Sequence, residues 1–483
     1  MIELQRSGGA PLAEQIADGL AALVLRGELS DGFRLPSVRQ MATRLGVSAF
    51  TVVAGYDRLI ARNLLLSRPG AGYFVVAARS KAMHGESPGV IGDPADALGF
   101  AMQALDGSSA MIRSGTGFLP EDWLTDAVPA GLVTRVAKGR NALMATSPAQ
   151  GAPGLRRQLS EHLRSAGVMA APGQIITTLG TTQALDLLFR TLARPGDVIA
   201  VEDPGYMVLF QHIKALDLHL VPVTRHADGP DLDEFEEVAR KHRPKLFVTQ
   251  TLLHNPTGGS TSAAKCHRLL SIAERHGIGI VEDDVYGDIA AKGSTRLAAL
   301  DELRNVYYVS SFTKLLSPAL RVGFMAVPRE ATEALVGQKV LGVLGTPGLT
   351  EAIVEAVLDS GRYQRHVQQL RARLATARQR SQALLGDAGV VLDHPGGEGV
   401  FLWGCLPGLV DADALVRDAL TRDILIAKGS MFSSNGRFRD YLRFNVAHSC
   451  DPRLGEYLRT AVANGADRAR VVPIRAARPG QPG

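Results

Sequence analysis

The residues best suited to covalent chemistry lie in the run Tyr308-Val309-Ser310-Ser311-Phe312-Thr313-Lys314-Leu315-Leu316-Ser317-Pro318-Ala319-Leu320-Arg321-Val322-Gly323. Lys314 follows a strand-like stretch and stands among hydroxyls and apolar neighbours, a setting that depresses an amine's pKa and suits Schiff-base formation. An exposed loop lysine fits the same letters. Three other pieces precede it. Leu179-Gly180-Thr181-Thr182-Gln183 follows a strand and opens an apolar helix, where N–H groups and two hydroxyls make either a phosphate seat or an ordinary capping turn. His254-Asn255-Pro256-Thr257-Gly258 offers an amide fixed by proline, and equally reads as turn chemistry alone. Val281-Glu282-Asp283-Asp284-Val285-Tyr286 places carboxylates at a strand end: buried, one needs a cationic partner; exposed, they form a solvated loop.

These pieces fall at the ends of regular elements. Apolar runs at 174–178, 198–202, 245–250, 279–283 and 306–310 alternate with helical stretches. Such alternation predicts an α/β sheet with crossover helices, whose ligands sit beyond the carboxyl ends of the strands. From about residue 330 a helix-rich region leads to apolar segments at 399–406 and 441–446, a second, small α+β lobe.

In this order and spacing the pieces resemble the fold-type I, class I aminotransferases that use pyridoxal 5′-phosphate, over roughly residues 112–465. The resemblance implies that Lys314 holds the cofactor as an internal aldimine and that Asp283 pairs with its pyridine nitrogen, strengthening the ring as an electron sink. It implies that Asn255 and Tyr286 bond the ring's phenolic oxygen, and that Tyr206, in Asp203-Pro204-Gly205-Tyr206, lies against the cofactor. Gly180, Thr181, Thr182, Ser311 and Arg321 would hold the phosphate. Arg443, in Leu442-Arg443-Phe444-Asn445, matches the arginine that grips a substrate carboxylate, a task for its two-donor fork. Many such relatives carry a tyrosine shortly before the Gly151–Arg156 run that reaches the partner's phosphate; this chain has Ala145-Thr146-Ser147-Pro148, which implies a weaker anchor across a homodimer.

The N-terminal segment has a different pattern. Leu12, Ile16, Leu20, Leu23 and Val24 recur at helical spacing, so residues 11–25 read as a helix with Pro11 in its first turn. A second helix starts near Pro36 or Ser37, buries Val38, Met41, Ala42 and Leu45, and stops at Gly46. Ser48 caps a third that turns Val52, Tyr56 and Leu59 inward and runs to about Asn63. Apolar runs at 64–66 and 73–76 around Arg68-Pro69-Gly70-Ala71-Gly72 form a hairpin. Three helices and a hairpin describe a winged helix-turn-helix, though any small three-helix domain shares the periodicity.

Through Leu35-Pro36-Ser37-Val38-Arg39, Leu45-Gly46-Val47-Ser48, Thr51-Val52 and Gly70-Ala71-Gly72-Tyr73-Phe74-Val75 this segment resembles the GntR regulators, and the whole chain resembles their MocR/GabR subfamily. That implies DNA contacts from Ser37, Arg39, Ser48, Thr51, Arg68 and Gly70. Relatives commonly place a basic residue just after the position of Ser48, where this chain has Ala49-Phe50.

Length and charge agree with a composite. The chain has 483 residues, 46% hydrophobic and 21% charged, which excludes a disordered or fibrous protein. Its net charge of +5 is concentrated at the ends: residues 1–80 hold nine Arg and no Lys against six acidic residues, and residues 467–483 hold four Arg against Asp467. The expected organisation is a winged helix-turn-helix at 1–79, a linker at 80–110 broken by a short helix near 95–105, the aminotransferase-like domain at 111–465, and a disordered basic tail at 466–483. Cys266, Cys405 and Cys450 show no C-x-x-C spacing, and neither a signal peptide nor an apolar run of membrane length is present, so a reducing cytoplasm is expected. The leading expectation is a DNA-binding regulator that senses the cofactor, or an amino compound joined to it as an external aldimine. The alternative is an active aminotransferase working with 2-oxoglutarate that carries a DNA-binding domain.

Overall fold

Two units make up the chain, Met1–Ile91 and Gly92–Gly483. The computed structural model describes residues 4, 11–25, 29, 32–61, 64–68, 72–75, 93, 95–105, 111–139, 147–394, 397–409 and 411–470.

In the first unit, α1 (Leu12–Leu25) begins over Pro11, whose carbonyl accepts the amides of Glu14 and Gln15. α2 (Val38–Leu45) is framed by a Ser37–Gln40 capping box and by Gly46, whose φ of 63° ends it in the left-handed conformation. Ser48 caps α3 (Ala49–Ala61) by accepting the Thr51 amide at 3.0 Å. β1 (Leu65–Arg68) and β2 (Gly72–Val75) pair antiparallel with Leu65 opposite Val75. The 32–35 stretch joins β2 through bonds from Gly32 N–H to Val75 O and from Leu35 N–H to Tyr73 O. The core is Ile16, Leu20 and Val24 of α1, Met41 of α2, and Val52, Tyr56 and Leu59 of α3. A Cβ at Gly55 would meet Ile16 Cγ2 at 3.0 Å, so α1 and α3 pack with no side chain between them there.

The second unit opens with α4 (Ala97–Leu105), which buries Phe100 and Ala104. This unit therefore begins inside the stretch 80–110 that reads as linker. Its large sheet holds β3 (Ile175–Thr178), β4 (Val198–Asp203), β5 (His219–His226), β6 (Gly229–Pro230), β7 (Leu246–Thr249), β8 (Gly279–Asp283), β9 (Val306–Ser311) and β10 (Gly323–Ala326), in the order β3-β10-β9-β8-β7-β4-β5-β6. β5, β4, β7, β8 and β9 are parallel, and β10 runs antiparallel between β9 and β3. β3 is thereby parallel to β9, and the carboxyl ends of β3, β4, β7, β8 and β9 share one edge of the sheet. The apolar patterning anticipates five of these strands. It misses β5, whose polar residues and Pro222 mask the alternation, the two-residue β6, and β10, four residues that start at the end of the Lys314 run.

A smaller sheet, β11 (Val391–Leu392), β12 (Phe401–Cys405), β13 (Ala427–Lys428) and β14 (Tyr441–Asn445), has the order β11-β12-β14-β13. The 112–115 stretch is tied to it, Ile112 N–H bonding Asp423 O and Gly115 N–H bonding Leu425 O. The last helix, Pro452–Arg470, continues past residue 465; residues 471–483 of the expected tail lie outside the described residues. Among the described residues no helix is long and apolar enough to cross a membrane, and no His, Cys, Asp and Glu cluster could hold a metal.

Candidate functional site

At the shared carboxyl edge, a cavity of about 550 Å³ gathers Gly180, Thr181, Thr182, Tyr206, Asn255, Asp283, Tyr286, Ser311, Lys314, Arg321 and Arg443. All the residues expected to handle the cofactor and its substrate meet there, from segments more than 250 positions apart in the chain.

Lys314 is the third residue after the buried end of β9 and points over the Phe118 ring, 3.6 Å from its centroid. Burial, with the charges of Arg443 and Arg321, lowers its pKa from 10.5 to about 7, so near neutrality the amine is poised as a nucleophile. Asp283, the last residue of β8, is pushed up to about 7 by burial and by Asp284. Its Oδ2 accepts from Gln250 Nε2 at 3.1 Å, whereas Oδ1 is buried with no partner. In the same run the buried Asp284 has the cationic partner that burial demands, Arg296 at 2.6 Å, whereas Asp283 has an amide beside it and no ion pair among the described residues. A pyridinium N–H would supply both the missing donor and the charge.

Gly180 precedes the helix Thr181–Leu192 at φ 103°, and no side chain caps that helix. Gly180 is the N-cap and Gln183 Oε1 accepts the Leu179 amide at 2.7 Å, so the run is a capping turn, and because glycine brings no side-chain oxygen the helix start faces the cavity with its dipole and first amides. A Cβ on Gly180 would lie 3.1 Å from Arg321 Nη2 and 3.5 Å from Thr313 Oγ1, so only glycine leaves this cradle open. Arg321, itself in the left-handed region at φ 49°, donates from Nη2 to Leu179 O at 2.8 Å. Ser311 and Thr313 hydroxyls are 2.6 Å apart.

Tyr286 donates to Gly117 O at 2.9 Å, and a Cβ on Gly117 would sit 3.2 Å from that hydroxyl and 3.7 Å from Lys314 Nζ. The space a ring needs between Lys314 and Tyr286 depends on that glycine. Burial pushes the Tyr206 phenol up to about 12. Arg443, on β14 and 2% exposed, donates from Nη1 to Asn255 Oδ1 at 2.6 Å and from Nη2 to Gly115 O. It is sandwiched between the Phe401 and Phe432 rings at 4.5 and 4.6 Å, and its Nε has no partner. Burial lowers its pKa to about 10, and among the described residues no carboxylate pairs with it. An incoming carboxylate would relieve that buried charge.

Gln250, just past β7, escapes the sequence reading. Its Oε1 accepts the Asn255 amide at 2.8 Å while its own N–H bonds Glu202 Oε2 at 2.9 Å, and Glu202 is in turn paired with Arg225. Its place beyond a strand end was the available signal. Gly117 and Phe118, in a loop without periodicity, had none. The outer wall of the cavity is apolar: Phe100, Ala104 and Leu105 of α4 face Met207 and Val208.

In the first unit, Arg39 is exposed on α2, and Ser37 spends its hydroxyl on the cap. Ser48 and Thr51 hydroxyls bond each other at 2.7 Å. Arg68 ends β1, and Gly70 lies outside the described residues, as do Ala145 and Thr146.

The family model "Aminotransferase class I and II" matches residues 113–460, and "Bacterial regulatory proteins, gntR family" matches residues 12–75. A probable rhizopine catabolism regulatory protein, MocR, of Rhizobium meliloti is 31% identical over 79% of this chain and 78% of its own. The uncharacterized HTH-type transcriptional regulator YdcR of Escherichia coli is 28% identical over 90% of this chain and 94% of its own. A 2-aminoadipate transaminase of Thermus thermophilus is 33% identical over 64% and 78%. Among solved structures, the α-aminoadipate aminotransferase LysN of Thermus thermophilus, complexed with N-(5′-phosphopyridoxyl)-L-leucine, superposes with a TM-score of 0.69 at 27% identity, covering 74% of this chain and 94% of that one.

Proposed function

Because this chain belongs to the aminotransferase class I and II family and carries a gntR-family segment ahead of that region, we propose that it is a DNA-binding transcriptional regulator whose larger unit binds pyridoxal phosphate and an amino compound. The observation that carries the reading is one cavity holding a lysine amine lowered to about 7, a buried carboxylate oxygen with no partner, and an unpaired buried guanidinium. Those three groups, with the helix start at Gly180, fit the cofactor's aldehyde, ring nitrogen and phosphate, and the ligand's carboxylate. When bound, pyridoxal phosphate supplies a carbonyl for primary amines and a ring that withdraws electrons.

Each residue's part follows from its place. Lys314 would be the nucleophile that anchors the cofactor, and the Asp283 carboxylate would accept the N–H of the protonated ring nitrogen and keep that proton in place. Gly180, Thr181, Thr182, Ser311 and Arg321 hold the phosphate, Asn255 and Tyr286 orient the ring oxygen, and Tyr206 flanks the ring. Arg443 takes the ligand carboxylate. The charged groups among the described lining residues are then all used, and the outer part of the wall, Phe100, Ala104, Leu105, Met207 and Val208, is apolar. That favours an amino acid with a neutral, apolar side chain, in keeping with the leucine adduct in the LysN structure. α4 is the first element after residues 80–92, so its contact with a ligand side chain is close in sequence to the segment leading from the DNA-binding unit. A ligand shifts DNA binding only through unequal affinity for two arrangements of the protein.

The protein acts as a cytoplasmic homodimer on double-stranded operator DNA, with the winged helix at 1–79 and a cofactor-binding domain that includes α4 and extends through the last helix. Residual transamination is a second reading, favoured by the poised Lys314. The test is binding to the protein's own upstream DNA with and without pyridoxal phosphate and L-leucine, L-phenylalanine, L-glutamate or L-lysine, while the cofactor's visible absorbance is followed. Sequence-specific binding indifferent to every addition overturns the sensor; steady consumption of 2-oxoglutarate, unchanged when residues 1–91 are deleted, favours the enzyme.

A further inference from the structure

The first turn of α3 is poor in the groups that read bases by hydrogen bonding. From Ser48 to Gly55 the chain reads Ser-Ala-Phe-Thr-Val-Val-Ala-Gly, without the Arg, Lys, Asn or Gln that forms bidentate bonds to guanine or adenine. The two hydroxyls present, on Ser48 and Thr51, are bonded to each other, and Ser48 also caps the helix. Phe50 stands between them, 82% exposed and outside the unit's core, which α3 closes with Val52, Tyr56 and Leu59. The exposed positive charge lies elsewhere, on Arg34, Arg39, Arg44 and Arg58, where it suits a phosphate backbone and carries no base identity.

The apolar group on base edges in a major groove is the thymine C5-methyl. We infer that α3 reads thymine methyl groups through the Phe50 ring, flanked by Ala49 and the Thr51 methyl, so that A·T pairs occupy the steps it covers. This rests on the DNA-binding reading above and adds a base identity to it.

The experiment uses the full-length protein loaded with pyridoxal phosphate. Duplexes enriched by it from a random library are resynthesised with each thymine in turn replaced by deoxyuridine, which keeps every hydrogen bond and removes the methyl alone. Loss of one buried methyl contact weakens binding about fourfold at one or two thymines and leaves the others unchanged. Phe50→Ala, truncated outside the core, binds the thymine duplex correspondingly more weakly and no longer distinguishes it from the uracil duplex; Phe50→Leu keeps part of the discrimination. Equal affinity for thymine and uracil at every position overturns the inference while leaving DNA binding intact. So does a Phe50→Ala protein that discriminates as the parent does, or one that weakens on all duplexes alike, the behaviour of a ring that packs against protein. Failure to enrich any sequence removes the DNA-binding reading itself, and the inference with it.

Discussion

Gln250 Nε2 sits 3.1 Å from Asp283 Oδ2, while Oδ1 of the same carboxylate has no partner. One oxygen is held and the other is left for a ligand. Because Gln250 also accepts the Asn255 amide, a single side chain sets both groups on one face of the cavity. The Gln250→Leu protein should bind pyridoxal phosphate about tenfold more weakly, the effect of losing a hydrogen bond to a charged group. Removing that donor also drives the Asp283 pKa further up. Fluorescence titration of the cofactor checks this; an unchanged Kd removes Gln250 from the positioning of Asp283.

Lys314→Ala should abolish the visible absorbance of bound pyridoxal phosphate, because the buried Nζ is the amine available to its carbonyl among the described residues of the cavity. Spectra after dialysis, with circular dichroism as a control for folding, decide it. A persistent band in the variant refutes the anchor.

Uptake of pyridoxal phosphate by cofactor-free protein should quicken as pH rises through about 7, where Lys314 loses its proton and becomes nucleophilic. Stopped-flow absorbance between pH 6 and 8.5 reads the rate. Asp283 bears on stability in the opposite sense. Its pKa is raised from 3.8 to about 7, so the folded state binds more protons than the unfolded one across that window. Its contribution is complete below 3.8 and is lost as pH rises through about 7. Cofactor-free protein should therefore gain more in melting temperature from added cofactor at pH 8 than at pH 5.5. Equal gains at both would remove Asp283 as the pyridine partner.

Arg443→Gln should leave cofactor binding in place and weaken the spectral response to L-leucine by about tenfold to a hundredfold, the range for a charge-assisted bond to a carboxylate. Titration with L-leucine and with isoamylamine, which lacks the carboxylate, separates the roles. The variant should bind the amine as the parent does; equal losses for both ligands would place the defect elsewhere.

Ser48→Ala should destabilise the first unit by about 1 kcal/mol, the usual worth of an N-cap hydroxyl. Urea unfolding of the full chain, followed by exchange of α3 amides, reports it. No change would free the Ser48 hydroxyl for a DNA contact.

Residue order alone marked the candidate groups and the elements on which they sit. Lys314, Asn255 and Gly180 each follow a strand and Asp283 ends one, and strand spacing and helix caps are local hydrogen-bond patterns that residue types betray within a few positions. The same holds for Ser37, Gly46 and Ser48, whose capping geometry is written in adjacent letters. Tertiary structure decided what those groups are. The fall of Lys314 to about 7 requires burial together with Arg443 and Arg321, and the bond from Arg443 to Asn255 spans 188 residues. Only packing shows that Gly117 keeps the ring space open, that Gln250 steers Asp283, and that α4, expected as a break in a linker, forms the apolar wall of the cavity. Periodicity reports a residue's own face and turn, whereas desolvation and charge coupling depend on distances between elements that no local pattern encodes.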